Sequence, residues 1–485
     1  MFAQPLKDLK HWMMTSTGGY VTNPFFIQLL LPVLAGRIAM NPKYKIIPDL
    51  QAQDCLTIHP NTAKQKNISA LKKWFLRFGI QALEIKLKIS SRLNENEMKL
   101  SIGVIESLRI PLSGRYEIRR EGNEILIGPY IGILTASKKS SLDDSVQYLS
   151  NYLYDYDRIG GAIVAFSLEG MDPFKYTIEG YMFNPDTKEW EQGVYSYPAA
   201  VFKTIYLNKS WRNHFQTIFG NRLFNSYVFN KWEMYKWLSQ ASHLKQYLPE
   251  TILYKKPEDL ESFLNLHRQI YVKPLHGSMG ERIFKVSKSE EHGLKLQYHQ
   301  DGIPYEITFS NLFSLADFFK SQFKGKKYIL QQALDLISFE EKKIDFRIVM
   351  VKDQAGVWND MCMVAKYGQQ GSIVTNILAG GTAEIGEITL QKIFGLSTEE
   401  VFKWRKEISR IVHEAAQRIE QCGVHCGNLG VDIGIDTQRR MWIIEMNNLN
   451  PSPLFALDIH DRPLFYRIKL LNMLYAKRLA GFPEV

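Results

Sequence analysis

The sequence predicts a mixed α/β (α+β) chain of about three domains. Three observations carry that expectation. At roughly 150 residues per domain, 485 residues hold about three cores. Segments with period-two alternation fill residues 50 to 130, and continuous apolar strands with a helix-compatible segment between them follow from Gly128. A long amphipathic helix over 398–422 then leads into two closing strands. The regions divide at 1–125, 126–223 and 224–475.

In the first region ALEIKLKI (82–89), MKLSIGVI (98–105), RYEIRR (115–120) and EILIG (124–128) read as strands, with turns at 113–114 and 121–123. In the second, YIGILTA (130–136) and GAIVAFS (161–167) are buried parallel strands, and 140–156 is a helix between them. The third opens with helices over 231–240 and 257–267. Pro257 suits a first helical position, and Glu258, Asp259 and Glu261 suit the positive end of the dipole. Strands follow at 270–274, 282–286, 327–332, 344–351 and 357–366. After the helix, whose Ile408, Ile411, Val412, Ala415, Ala416 and Ile419 form one stripe, come strands at 429–436 and 441–447.

Composition narrows the function. The 45% hydrophobic and 23% charged content is that of a globular protein. A net charge of +10 without any Lys/Arg block argues against nucleic acid, while an anionic ligand would account for part of it. Four cysteines (Cys55, Cys362, Cys422 and Cys426) are too few for a disulfide scaffold and suit the cytoplasm. The apolar stretch 24–40 is interrupted by Gln28, Pro32 and Arg37. It is too short for a transmembrane span and starts too late for a signal peptide.

The closing hairpin carries the sharpest chemistry. Symmetric pairing over a loop at 437–440 puts Asp436 opposite Met441, Gly434 opposite Ile443 and Asp432 opposite Glu445. Asp432, Glu445 and Asn447 then share a face, with Asp436 solvated near the turn. Val431, Ile433, Ile435, Trp442, Ile444 and Met446 point the other way. Carboxylates directly opposed across strands repel, and a cation removes that penalty. Two carboxylates and an amide oxygen are hard ligands that suit Mg2+ and its phosphates. The alternative is a solvated acidic face.

Three further segments add to it. In YVKPLHGSMG (271–280), Gly277 and Gly280 let the backbone approach a phosphate, and Lys273 can act as a point charge on a nucleotide. No GK[ST] follows, so this is no P-loop, and an ordinary hairpin is the alternative. In IDFRIVM (344–350), Asp345 and Arg347 share a strand face. Arg347 could stabilise phosphate charge or form a plain edge pair. TNILAGG (375–381) is a ligand-approaching loop or an ordinary Gly-Gly turn. Cys422, His425 and Cys426 lack a second ligand pair, so buried small side chains are expected there rather than zinc.

Taken together, DFRIVM, VTNILAGG, GVDIGID and WIIEMN, with the spacing of Asp432, Glu445 and Asn447, resemble the ATP-grasp superfamily over about 224–470, and its RimK-type and glutathione-synthetase-like carboxylate–amine ligases in particular. FNSYVFNKWEMYKWL, YVKPLHGSMGERIFKV and GPYIGILTA are similar to the endospore coat-associated YheC/YheD family, over about 90–470. The resemblance implies an ATP-grasp fold over 224–475, split at 330, preceded by a preATP-grasp α/β domain over 126–223 and the small β-rich domain over 1–125.

It also implies roles. Lys231 and Lys273 would contact nucleotide phosphates. His276, Gly277, Ser278, Met279 and Gly280 would form the phosphate flap. Gln331 to Leu334 would lie beside adenine, with backbone groups of Gln332 and Leu334 reading the base. Lys366 would stand near the transferred phosphate, Arg347 and Asn376 on the acceptor side, and Asp432, Glu445 and Asn447 around one or two Mg2+. The ribose-binding acid stays open among Asp335, Glu340 and Glu341. Some ATP-grasp ligases carry Arg two residues before the first metal Asp. Here that residue is Gly430, which leaves Arg347 or Lys366 to supply the charge.

The expected activity is ATP- and Mg2+-dependent ligation of an unknown carboxylate and amine through an acylphosphate, with ADP and phosphate released. A peptide, amino-acid or spore-coat substrate, coat-protein partners and a mother-cell or coat-associated location go with the resemblance. The alternatives are a small-molecule kinase on the same fold and a coat-associated nucleotide-binding structural protein with little turnover.

Overall fold

The computed structural model describes residues 41–69, 73–277, 281–289, 293–300, 303–373, 375 and 381–484. The stretch 24–40, the flap residues Ser278, Met279 and Gly280, and Asn376 lie outside the described residues. Pro42–Pro483 form one compact unit built on four sheets, an α/β (α+β) architecture.

The first sheet contains β1 (Lys45–Asp49), β2 (Cys55–Ile58), β3 (Trp74–Phe78), β4 (Gln81–Ile89), β5 (Glu97–Ser101), β6 (Glu117–Glu121) and β7 (Glu124–Gly128). Their order is β1-β5-β2-β4-β3-β7-β6. A Tyr44–Tyr116 bridge joins the starts of the two end strands, so the sheet closes on itself. Period-two alternation explains the interior: Trp74, Leu76 and Phe78 of β3 point in, while Glu84, Lys86 and Lys88 of β4 stay exposed.

The second sheet has β8 (Tyr130–Ala136), β9 (Ala162–Asp172), β10 (Thr177–Asn184), β11 (Glu189–Ser196), β12 (Ala200–Lys203) and β13 (Leu223–Phe224), in the order β11-β10-β9-β8-β12-β13. β8 runs parallel to both β9 and β12. Its unbroken apolar run is needed because both faces are covered. The single helix expected over 140–156 is instead a helix (Lys139–Ser145), a 3-10 turn (Val146–Tyr152) and one further helical turn (Tyr156–Ile159).

The third sheet is antiparallel: β14 (Thr251–Leu253), β15 (Gln269–Pro274), β16 (Phe284–Ser289), β17 (Gly293–Gln300), β18 (Ile303–Phe309) and β19 (Tyr328–Gln332), ordered β14-β19-β15-β16-β17-β18. Helices Pro257–His267 and Leu312–Phe323 cover it through Leu260, Phe263, Leu315 and Phe319, packed on Val272, Val286 and Leu330.

The fourth sheet has β20 (Ser338–Phe339), β21 (Lys342–Lys352), β22 (Trp358–Tyr367), β23 (Thr382–Ile385), β24 (Asn428–Ile435) and β25 (Met441–Asn447), ordered β23-β22-β21-β24-β25 with β20 on β21. Helix Thr398–Gln421 starts at a Ser397/Glu400 capping box and lays its apolar stripe on this sheet. Among the described residues, no helix is long and apolar enough to cross a membrane.

Candidate active site

Three neighbouring strands line up the charged groups. Arg347 on β21 pairs across to Asp432 on β24, and Asp432 pairs across to Glu445 on β25. Asp345 stands opposite Lys366 of β22. Arg347 grips Asp432 with both arms, Nε to Oδ1 at 2.7 Å and Nη2 to Oδ2 at 2.9 Å. Lys366 Nζ lies 3.0 Å from Asp432 Oδ1 and 3.0 Å from Asp345 Oδ1. All four side chains are buried. Burial pushes the Asp345 carboxyl up to about 6, and the Asp432 charge adds to that. Burial also works against Asp432, but Arg347 and Lys366 outweigh it and hold its carboxyl well below the usual carboxylate range. So much charge taken out of water is weak evidence for stability and a sign of a functional array.

The hairpin register differs from the symmetric one. Asp432 does face Glu445 and Gly430 faces Asn447, but nearer the turn Ile433 pairs with Ile443, Gly434 with Trp442 and Ile435 with Met441. Ile444 is the extra residue of a β-bulge. The expected outward set is therefore wrong for two residues: Trp442 shares the face of Gly434 and donates to Asp436 Oδ2 at 3.0 Å, while Ile444 packs beside Gly434. Ile443 takes the core position instead. Asp436 is not solvated. It is 3% exposed and accepts from the backbone of Gln438 and Arg440 and from the Arg440 side chain, which organises the turn.

A helix and the third sheet supply one further cation each. Lys231 is the first residue of helix Lys231–Ser239, fixed by an Asn230/Glu233 capping box. Its Nζ reaches Glu445 Oε1 at 2.9 Å and the carbonyl of Gly277 at 3.0 Å. Lys273 Nζ donates to Gln331 Oε1 at 2.7 Å, and burial lowers its pKa to about 8 against the pull of Glu445. His276 is exposed. Gln331 acts through its side chain, bonded also to Thr251. The Gln332 N–H is committed to the Glu250 carbonyl at 2.8 Å, which closes that amide to a base. Leu334 N–H has no partner among the described residues. A cleft of about 200 Å³ opens here between Gln332, Leu334, Asp335, Thr437 and Arg440. Of the ribose candidates, Asp335 is held by Lys343 and Thr437, and Glu341 by Gln370. Exposed Glu340 has no hydrogen-bond partner among the described residues.

Glu445 and Asn447 offer open oxygens to a magnesium ion, whereas both Asp432 oxygens already accept from Arg347 and Lys366. Among the described residues no three acidic, His or Cys side chains converge, so protein ligands alone make no cage. Glu445 Oε2 and the Asn447 side chain carry no hydrogen bond among the described residues and lie on the same strand as each other, beside Asp432. Four cations (Lys231, Lys273, Arg347 and Lys366) face three carboxylates (Asp345, Asp432 and Glu445), which leaves an excess positive charge for a polyphosphate.

Gly430 explains itself. A Cβ there would lie 2.9 Å from Arg347 Nη1 and 3.1 Å from Pro451. The guanidinium delivered from β21 fills the space above this residue and rests on the Phe455 ring, 4.7 Å from its centre. Sequence reasoning missed Phe455, which opens a four-residue helix, Phe455–Asp458, too short to carry a periodic signal. It also left Tyr271 and Asp345 without a role, although both alternate in phase with Lys273 and Arg347.

A family model described as YheC/D-like ATP-grasp matches residues 220–479, more than half of the chain. The chain is 24% identical over 436 residues to the endospore coat-associated protein YheD of Bacillus subtilis (strain 168), covering 86% of this chain and 92% of that protein. Over 145 residues it is 26% identical to a glutathione synthetase of Bradyrhizobium diazoefficiens, covering 30% of this chain and 37% of that enzyme. Among solved structures, D-cycloserine synthetase DcsG aligns at 13% identity and a TM-score of 0.42, covering 72% of this chain and 99% of that one. By the family match, which takes in every charged residue of the site, the chain belongs to the YheC/D-like ATP-grasp family.

Proposed function

We propose that this protein is an ATP-dependent carboxylate–amine ligase that releases ADP and phosphate. The observation that supports it best is the array of four cations around three buried or half-buried carboxylates. A substrate carboxylate oxygen attacks the γ-phosphorus of ATP, the bond to the bridging oxygen breaks, and ADP leaves. The amine then attacks the acyl carbon, phosphate departs, and the amine nitrogen gives up a proton.

Lys231 and Lys273 hold phosphate oxygens. Arg347 and Lys366, desolvated and fixed by Asp432 and Asp345, stabilise the charge that spreads over the transferred group. Asp432, Glu445 and Asn447 would hold Mg2+, which neutralises phosphate oxygens when bound. The second sheet would serve as the preATP-grasp domain over 126–223, and the β-rich domain over 1–125, whose closed sheet ends with β7 at Gly128, carries no assigned role. Association with the spore coat follows the names of its relatives.

The test is a nucleotide-release screen on the full chain with amino acids, peptides and polyglutamate as acceptors. Acceptor-stimulated ADP supports the reading, and AMP with pyrophosphate sinks it. A phosphorylated product that resists hydroxylamine would make the protein a kinase. Tight ATP binding without turnover would make it a nucleotide-binding structural protein.

A further inference from the structure

Two side chains with no role so far, the half-buried Tyr271 and the buried Asp345, hold Ile373 and Thr375. Tyr271 stands on β15 opposite Gln331, on the same face as Lys273 two residues on. Its hydroxyl donates to the Ile373 carbonyl at 2.9 Å, and Lys273 Nζ lies 5.1 Å from its ring centre. Asp345 stands on β21 opposite Lys366 and is 4% exposed. Its Oδ2 accepts from the Thr375 hydroxyl, while its Oδ1 forms the ion pair with Lys366.

Ile373 and Thr375 are thus each tied to a residue that also touches a phosphate-side lysine. The two ties come from different sheets, β15 in the third and β21 in the fourth. Both use up the polar atoms concerned. The tyrosine O–H is spent on a carbonyl, and the carboxylate is shared between an ammonium and a hydroxyl. Breaking either leaves a desolvated polar group unpaired, which is what makes such a tie costly to open.

We propose that Tyr271 and Asp345 are positioning residues that clasp Ile373 and Thr375 beside Lys273 and Lys366, and so retain a bound nucleotide between the third and fourth sheets. The inference rests on the nucleotide reading above. Neither residue has to touch the reacting atoms. Separating the third sheet from the Ile373 segment breaks the Tyr271 tie, so the dissociation rate of a nucleotide held between the sheets reports the clasp.

The experiment is stopped-flow displacement of mant-ADP, with Mg2+, from the full chain. Tyr271→Phe removes only the hydroxyl, and Thr375→Val removes the other tie. Each is expected to speed dissociation about fivefold, the equivalent of one ordinary hydrogen bond, with only a small fall in melting temperature. Thr375→Ser keeps the hydroxyl and should restore the slow rate, which a merely structural role would not require. If mant-ADP binds the unaltered chain and leaves both hydroxyl-less variants at the same rate, the clasp is wrong and the nucleotide reading stands. If it does not bind the unaltered chain at all, both fall.

Discussion

Asp432 and Glu445 face each other across two strands yet carry different burdens, and their variants separate them. Asp432 compensates two buried cations, Arg347 and Lys366, whereas the half-buried Glu445 forms an ion pair, among the described residues, with Lys231. Asp432→Asn leaves buried positive charge uncompensated, which costs about 3–5 kcal/mol. It should lower the melting temperature and abolish ADP formation together. Glu445→Gln should abolish ADP formation while the melting temperature stays near that of the unaltered chain. Equal thermal losses in both would contradict the division. Lys273 adds a pH dependence. Its pKa falls from 10.5 to about 8 on folding because the ammonium is buried. The folded state therefore binds that proton less tightly than the unfolded chain, and stability rises as pH climbs from about 8 to 10.5. Nucleotide affinity moves the other way, because phosphates prefer the ammonium. It should be full below about pH 8 and decline above it, by up to tenfold per unit. Lys273→Arg should flatten that decline, as a titration of Mg-ADP binding from pH 7 to 9.5 would reveal.

At the level of strands, the hairpin shows what a sequence pattern can carry. Alternation brought Asp432, Glu445 and Asn447 to one face because those residues lie on the far side of the bulge from the turn. It failed for Trp442 and Ile444, since an extra residue inverts the phase of the segment between itself and the turn. Nothing in a run of large apolar side chains marks where that residue sits. Gly430 was legible as a departure, but its reason lay on another strand. The same geometry makes a prediction. Gly430→Ala places a methyl 2.9 Å from Arg347 Nη1, with Pro451 blocking retreat on the other side. Overpacking of this kind costs about 1–3 kcal/mol, and here the flexible partner is the guanidinium that grips Asp432. On the proposed function, in which the displaced group acts on the transferred phosphate rather than on ADP, the expected result is a fall in turnover of at least tenfold with Mg-ADP affinity within about threefold. Unchanged turnover in the folded variant would remove Arg347 from the reaction.

Across the whole molecule, the C-terminal helix Arg462–Leu479 ties together parts of the sequence that local patterns could not connect. Its Phe465, Ile468, Met473 and Leu474 share a core with Ile131 and Ile133 of β8, Phe202 of β12, and Val349 and Val351 of β21. Its Lys477 reaches the first sheet, where the ammonium lies 2.6 Å from Glu117 Oε1 on β6 with both side chains buried, and it donates to the Arg158 carbonyl at 2.8 Å. The closure of the first sheet at Tyr44 and Tyr116 was equally invisible in the sequence, because both contacts join residues far apart in the chain and carry no periodicity. A buried pair costs desolvation on both sides, so its effect shows when one partner is removed alone. Lys477→Met should take one ammonium from the Glu117 carboxylate, with Lys43 still near it, and destabilise the protein by about 1–3 kcal/mol. The double variant Glu117→Leu with Lys477→Met should recover most of that, because two apolar groups need no compensation. Thermal melts of the two single variants and the double form the cycle, with Mg-ADP affinity below the melting range as the control that the distant site is intact. A double variant no more stable than either single one would mean that the helix is held to the first sheet by packing alone.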